Sequence, residues 1–354
     1  MSRRATLALA AAALCGCFSY SPPLPDAPPL PDAAPPADRV LPTLPADLWI
    51  HVPVPGAVCG NGSTAAIGVN RHPGASRLLL VIAGGGACWD EETCFVSRTS
   101  VHVEEDYTPA ILSTEVATIT SSGFDDRSSA LNPFRDAHIV YVPYCTGDLH
   151  GGDAIQTYGG RTMHHRGGRN MQVILDALRS AWPELSTVHV LGFSAGGFGA
   201  QLHWGHLAET WPDARLSILA DCAPMAEPPA ERYATWRASW NLYTPAACAA
   251  CATSFAAYGE HHDALHPDSR VALTMTLRDE VLEQFWGAPD YEARVRALLD
   301  VLADDRAIRY FALDSTQHVI TGDAARLRTS DGTLLADWIL GWYEGDARFR
   351  NVGP

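Results

Sequence analysis

The sequence contains no lysine: all 25 of its basic residues are arginine. Schiff-base chemistry, a Walker A phosphate loop and a Ser-x-x-Lys nucleophile pair each need a lysine amine, so all three are excluded. Basic runs are missing as well, and the net charge is −15. A nucleic-acid partner is excluded on that ground, because nothing is available to neutralise its phosphates. There is no His-Glu-x-x-His motif, and Cys248-Ala249-Ala250-Cys251 has no second ligand pair nearby to complete a zinc site. No metal or cofactor is expected. The N-terminal apolar stretch, residues 5–14, is too short to span a bilayer.

That stretch follows Arg3-Arg4 and leads into Leu14-Cys15-Gly16-Cys17, the layout of a signal peptide ending in a bacterial lipobox. Residues 1–17 are therefore expected to be a lipoprotein signal, with Cys17 as the lipidated first residue and the only tie to a membrane. Free secretion or a periplasmic location is the alternative. Residues 18–45 are rich in proline and alanine, a composition that favours extended polyproline II, and read as a linker to a catalytic domain over 46–354. Nine cysteines less Cys15 and Cys17 leave seven, an odd number, so one thiol stays free. Export favours disulfides; Cys88 with Cys94 and Cys59 with Cys145 are the pairs suggested.

Apolar, β-branched runs at 77–83, 138–142, 188–191, 216–220, 271–277 and 308–313 alternate with helical stretches, of which 170–182 is the clearest. Continuous apolar strands separated by helices indicate an α/β fold with a mostly parallel sheet flanked by helices. The active site of such a fold gathers at the carboxyl ends of the strands. Between the strands at 216–220 and 271–277 lies an insertion, about 222–268, with Tyr233, Trp236, Trp240 and Tyr243 at helical spacing. It reads as a helical cap whose aromatics face the core, a substrate pocket, or both.

At the end of the strand 188–191 stands Gly192-Phe193-Ser194-Ala195-Gly196, a strand-to-helix turn of the Gly-x-Ser-x-Gly type. Small residues on both sides allow so sharp a turn, which holds the serine hydroxyl out above the sheet. A serine hydroxyl is a weak nucleophile, so it needs a histidine to take its proton and a carboxylate to fix the histidine tautomer. Asp221 and Asp279 both lie at strand ends, and either is also suited to cap the following helix. Asp279 is favoured because one further strand separates it from His318, which follows the last strand. His164, His165, His203, His206, His261 and His262 compete with His318. After the strand 77–83, Gly84-Gly85-Gly86 can turn backbone N–H groups inward; Gly85 and Gly86 with Ala195 are expected to form an oxyanion hole.

These motifs in this order resemble the pectin acetylesterase and Notum family of serine hydrolases. The resemblance rests on Gly84-Gly85-Gly86-Ala87-Cys88-Trp89 with Cys94, Asn132-Pro133-Phe134, Val142-Pro143-Tyr144-Cys145-Thr146-Gly147-Asp148 and Gly192 to Gly197, and covers most of 55–320. Cys59-Gly60-Asn61-Gly62 and His164-His165-Arg166-Gly167 add to it, the latter resembling bacterial members. It implies an α/β-hydrolase with Ser194 as nucleophile, His318 as base, Asp279 as acid and Gly85, Gly86 and Ala195 around the oxyanion. It also implies that Asp221, and with it Trp89, lies at the substrate pocket. Two departures are Ala87, where an aromatic is usual, and Cys222-Ala223 after Asp221. The implied activity is ester hydrolysis by a monomer acting on a small or polymeric substrate. O-acetyl groups of polysaccharide are the first expectation; lipid acyl groups on protein, or an idle binding module displayed at the surface, are the alternatives.

Overall fold

Unbroken burial along β3 (Arg77–Ile82), β4 (His138–Val142), β7 (Thr187–Phe193), β8 (Arg215–Asp221) and β9 (Arg270–Thr276) marks strands covered on both faces. With β10 (Ile308–Leu313) they run parallel in the order β4-β3-β7-β8-β9-β10. β1 (Trp49–Val58) and β2 (Thr64–Asn70) extend the sheet beyond β4, antiparallel to one another and to it, making eight strands. The computed structural model describes residues 41–120, 127, 132–305 and 307–354. The expected signal, its expected lipidation site Cys17 and most of the linker lie outside the described residues. Leu41 and Leu44 are already buried in the core, so the packed body begins before residue 46.

Helices flank this sheet, as an α/β-hydrolase requires: α1 (Pro109–Thr120), α2 (Gly167–Ala181), α3 (Ala195–Leu202), α4 (Trp204–Thr210), α5 (Ala230–Trp240), α6 (Ala257–Leu265), α7 (Glu280–Trp286), α8 (Tyr291–Leu302) and α9 (Leu335–Glu344). α2 packs on β1, α3 on β3, β7 and β8, and α8 on β10. The helix expected over 170–182 starts three residues earlier, because the buried Asp148 carboxylate accepts the Gly167 N–H at 2.7 Å. A hairpin that the strand reading passed over, β5 (Ala154–Tyr158) and β6 (Arg161–His165), turns at Gly159-Gly160. Both glycines have positive φ, 55° and 80°, as a two-residue hairpin turn demands.

The crossover from β8 to β9 carries α5 and α6 over the glycine loop and the elbow helix. Trp240 Nε1 donates to the Cys88 carbonyl at 2.7 Å, and Phe255 packs on Phe198 of α3 with ring centroids 5.7 Å apart. Tyr233, Trp236 and Trp240 are buried in this layer, and the last two stack. Tyr243 is not on that helix face. α5 ends at Trp240, Asn241 takes the left-handed conformation at φ 47°, and Tyr243 turns away to pack on His206.

Three disulfides join Cys59 to Cys145, Cys88 to Cys94 and Cys248 to Cys251. The first two match the suggested pairs. The third binds two sulfurs that the sequence had shown only as an incomplete zinc motif. Among the described residues Cys222 is the free, buried thiol.

Candidate active site

The apolar run of β7 carries the chain to the carboxyl edge of the sheet, where it reverses at Ser194 into α3. Ser194 has φ 52° and ψ −125°, a conformation that costs a non-glycine residue about 1–3 kcal/mol and persists only where its surroundings enforce it. They do so closely. A Cβ on Gly196 would lie 2.0 Å from the Ile82 carbonyl oxygen, so only glycine lets the start of α3 cross the end of β3. The Ser194 N–H donates to the Asp221 carbonyl at 2.8 Å, tying the turn to the neighbouring strand.

His318 reaches this serine from the loop after β10. Its Nε2 lies 2.8 Å from Ser194 Oγ and its Nδ1 lies 2.7 Å from Asp279 Oδ2. A carboxylate only accepts, so the ring proton sits on Nδ1 and the Nε2 lone pair faces the serine hydroxyl. Asp279 is fully buried. Its second oxygen, Oδ1, accepts the Leu282 N–H at 2.9 Å, so the residue caps α7 and holds the histidine at once. Contact with the histidine and capping of the helix, set against each other in the sequence, are both made by this one side chain.

Gly84, Gly85 and Gly86 follow β3 and pass alongside the elbow. Gly84 must be glycine, since a Cβ there would lie 2.4 Å from the Phe193 carbonyl oxygen and 2.7 Å from the Ser194 Cβ. Among the described residues the N–H groups of Gly85, Gly86 and Ala195 have no acceptor, which leaves three donors free beside the serine. The loop is fastened around them. Cys88 is tied to Cys94, the Cys88 N–H donates to the Gly147 carbonyl at 2.9 Å, and Thr99 pairs with Ala87.

Sequence reasoning missed the residues that fix this loop from beneath. His150 Nε2 donates to the Ala83 carbonyl at 2.8 Å, and the Leu149 N–H donates to Tyr144 Oη at 2.8 Å. Burial pushes the His150 pKa down to about 4, so the ring stays neutral. Asp148, fully buried, accepts from Thr146 Oγ1, Gly152 N–H and Gly167 N–H; burial nevertheless outweighs these bonds and pushes its pKa up to about 6. The signal was present: all three residues belong to the 142–148 motif or follow it directly. Among the competing histidines, both ring nitrogens of the buried His262 lack a hydrogen-bond partner within the described residues, while others are occupied away from Ser194. His165 Nδ1 contacts the Thr146 carbonyl, and His203 bonds the His150 carbonyl and His206.

Trp89 is half-buried, edge-on to Phe285 and 4.3 Å beneath the Arg232 guanidinium. Asp221 departs from the expectation that it meets substrate. It is fully buried and both its oxygens are filled, by Thr274 Oγ1 and the Ile320 N–H on one and by the Thr321 N–H and Oγ1 on the other. Two groups of potential metal ligands cluster among the described residues. In Cys88, Cys94 and His165 the sulfurs are spent in a disulfide, and in Cys222, Asp279 and His318 the carboxylate and imidazole bond each other.

The model of the pectinacetylesterase family matches residues 48–225, half of the 354-residue chain. The chain is also similar to palmitoleoyl-protein carboxylesterases: notum2 of Xenopus laevis, 27% identical over 158 residues, covering 42% of this chain and 30% of the relative; NOTUM of Schmidtea mediterranea, 29% over 134 residues, 36% and 24%; and NOTUM of Homo sapiens, 25% over 185 residues, 49% and 36%. The match thus spans about a quarter to a third of the length of these relatives. With the family match running from β1 through the elbow to the end of β8, the chain belongs to the pectinacetylesterase family.

Proposed function

We propose that the protein is a serine carboxylic ester hydrolase that works through Ser194, His318 and Asp279. The observation that carries this reading is the unbroken hydrogen-bonded chain from Asp279 through His318 to Ser194 Oγ, beside three unused N–H groups. Ser194 Oγ attacks the ester carbonyl while His318 Nε2 takes its proton. Asp279 stabilises the imidazolium that forms. The carbonyl oxygen, now negative, is held by the N–H groups of Gly85, Gly86 and Ala195. The intermediate collapses with the proton passing from Nε2 to the leaving alcohol oxygen, which leaves an acyl-serine. Water, deprotonated by the same nitrogen, then releases the acid and restores Ser194.

The family description supports O-acetyl groups of an acidic polysaccharide as substrate. The names of the relatives support a second reading, removal of a lipid acyl group from protein. Three disulfides fit an oxidising, extracytoplasmic compartment, and a lipid anchor on Cys17 would hold a monomer there.

A fluorophosphonate probe should label the wild-type protein and not Ser194→Ala; equal labelling of both, or of neither, sinks the hydrolase reading in favour of an idle binding module. A series of p-nitrophenyl esters of rising acyl length, set against acetate release from acetylated polysaccharide, separates the substrates. Turnover that peaks at acetate supports the polysaccharide; turnover that peaks at long chains supports the acylated protein.

A further inference from the structure

Asp221 ends β8, one strand away from β9, beyond whose end Asp279 stands by three residues, yet its carboxylate does not face the imidazole. Of its four donors, three come from the segment that follows His318: the Ile320 N–H at 3.0 Å, the Thr321 N–H at 2.9 Å and Thr321 Oγ1 at 2.6 Å. The fourth, Thr274 Oγ1 at 2.6 Å, belongs to the residue that pairs with Asp221 across the sheet. Upstream of His318, the Gln317 carbonyl accepts from Thr276 Oγ1 at 2.8 Å. His318 is therefore tethered on both sides to the carboxyl ends of two adjacent strands.

Between His318 and the gripped amides stands Val319, at φ 58°. A β-branched residue in the left-handed region is a genuine outlier, held only where neighbouring contacts over-determine it. Those contacts include the bonds of the next two residues to Asp221, beside a bond from Gln317 Nε2 to the Val319 carbonyl at 3.5 Å. Meanwhile the Asp221 carbonyl accepts the Ser194 N–H at 2.8 Å. One residue thus fixes the backbone of the nucleophile with its main chain and that of the base with its side chain.

We infer that Asp221 is a positioning residue of the active site, whose buried carboxylate locks the His318 loop so that the imidazole bridges Asp279 and Ser194. The inference rests on the proposed roles of Ser194 and His318 for its catalytic consequence; the ring geometry it asserts does not depend on turnover. A carboxylate suits the task because two oxygens can accept all four donors, each bond charge-assisted. An amide of the same shape would set an N–H group against some of them.

The test is Asp221→Asn together with the milder Thr321→Val, which removes a single donor. Asp221→Asn should lower kcat by about 10²-fold, the scale of a misplacement of about 1 Å, with KM within about twofold. Fluorophosphonate labelling of Ser194 should slow in parallel. In proton NMR without substrate, the hydrogen-bonded Nδ1 proton of His318 should be present in the wild type and lost or broadened in Asp221→Asn. Thr321→Val should show the same changes at smaller amplitude, and carries the test if Asp221→Asn does not fold. A folded variant that keeps the wild-type Nδ1 signal overturns the inference. A wild type that shows this signal but hydrolyses no ester counts against the hydrolase reading, and the two failures are thereby separated.

Discussion

Two buried aspartates on the carboxyl side of the adjacent strands β8 and β9, Asp221 as the last residue of its strand and Asp279 three residues beyond the end of its own, do different work. Asp221 and Asp279 are both fully buried, and each sends its carboxylate toward the loop after β10. Asp279 meets the imidazole of His318; Asp221 meets the backbone two and three residues further on. Burial is the same, so burial does not select the role. The loop does, by presenting a ring N–H to one carboxylate and main-chain amides to the other. A buried acid beside a nucleophile is thus no sufficient sign of a triad member; the identity of its donors has to be read.

The largest effect expected from breaking this comparison is on turnover. Asp279→Asn keeps the shape of the side chain but favours the wrong histidine tautomer, and should lower kcat by about 10⁴-fold in an ester assay. Asp221→Asn is expected to lose about 10²-fold. Equal losses would erase the distinction between holding the ring and holding the loop. Stability should order the two in reverse. Asp221→Asn leaves buried donors short of an acceptor, a defect of about 1–3 kcal/mol for each one orphaned. Asp279→Asn keeps an oxygen for the Leu282 N–H, so urea unfolding should show the larger loss for Asp221→Asn.

Acid separates the buried imidazoles from the buried carboxyl of Asp148. Burial pushes His138, His150 and His165 down to about 4 and His189, His203 and His262 down to about 3, from an unfolded value near 6.5. Between those values the unfolded chain binds protons that the folded chain refuses. Their contribution to stability is full above pH 6.5 and is lost as pH falls toward 4 and 3. Asp148, raised to about 6, acts the other way and favours the fold as pH drops through 6. One carboxyl is set against six imidazoles, so Tm measured across pH 7.5 to 4.5 should fall on the acid side; a flat profile would contradict this balance.

The smallest effect concerns Cys222, which follows Asp221 and lies within 4.8 Å of the ligand atoms of Asp279 and His318. Burial raises its thiol pKa well above the usual range, and the flanking carboxylates add to the rise. It should remain a protonated thiol in the folded protein. Iodoacetamide, with sites mapped by mass spectrometry, should modify Cys222 only after denaturation. Modification under native conditions would show that the space between the two aspartates opens to solvent.

Much of this site could be read from the chain. The strands at 138–142 and 308–313 have the expected bounds, and β3, β7, β8 and β9 differ by a residue or two at their ends, because unbroken apolar runs are a local signal of a strand covered on both faces. The elbow and the triple glycine were legible because their backbone geometry admits few other residues. β1 and β2 were missed: β1 carries two prolines and bends through an irregularity between Pro53 and Val58, which breaks the pattern that marks a strand. The β5–β6 hairpin was missed although Gly159-Gly160 between short polar and apolar runs is a turn signature. The supporting roles of His150, Tyr144 and Asp148 went unread for another reason, although the residues lie in or just after the 142–148 motif. His150 acts through the Ala83 carbonyl, a distant backbone acceptor with no signature in the sequence that supplies it, whereas Tyr144 and Asp148 accept from backbone N–H groups of Leu149, Gly152 and Gly167.

By itself the sequence determined which chemistry the chain can carry: a serine on a turn that strains it, glycines where backbones must touch, and acidic residues and a histidine at strand ends. Those are consequences of local periodicity and of steric limits on single residues. Only the tertiary structure decided which of 14 histidines meets Ser194 and which aspartate meets that histidine. Both choices turn on the conformation of one loop, and that conformation is set by hydrogen bonds to residues up to 100 positions away.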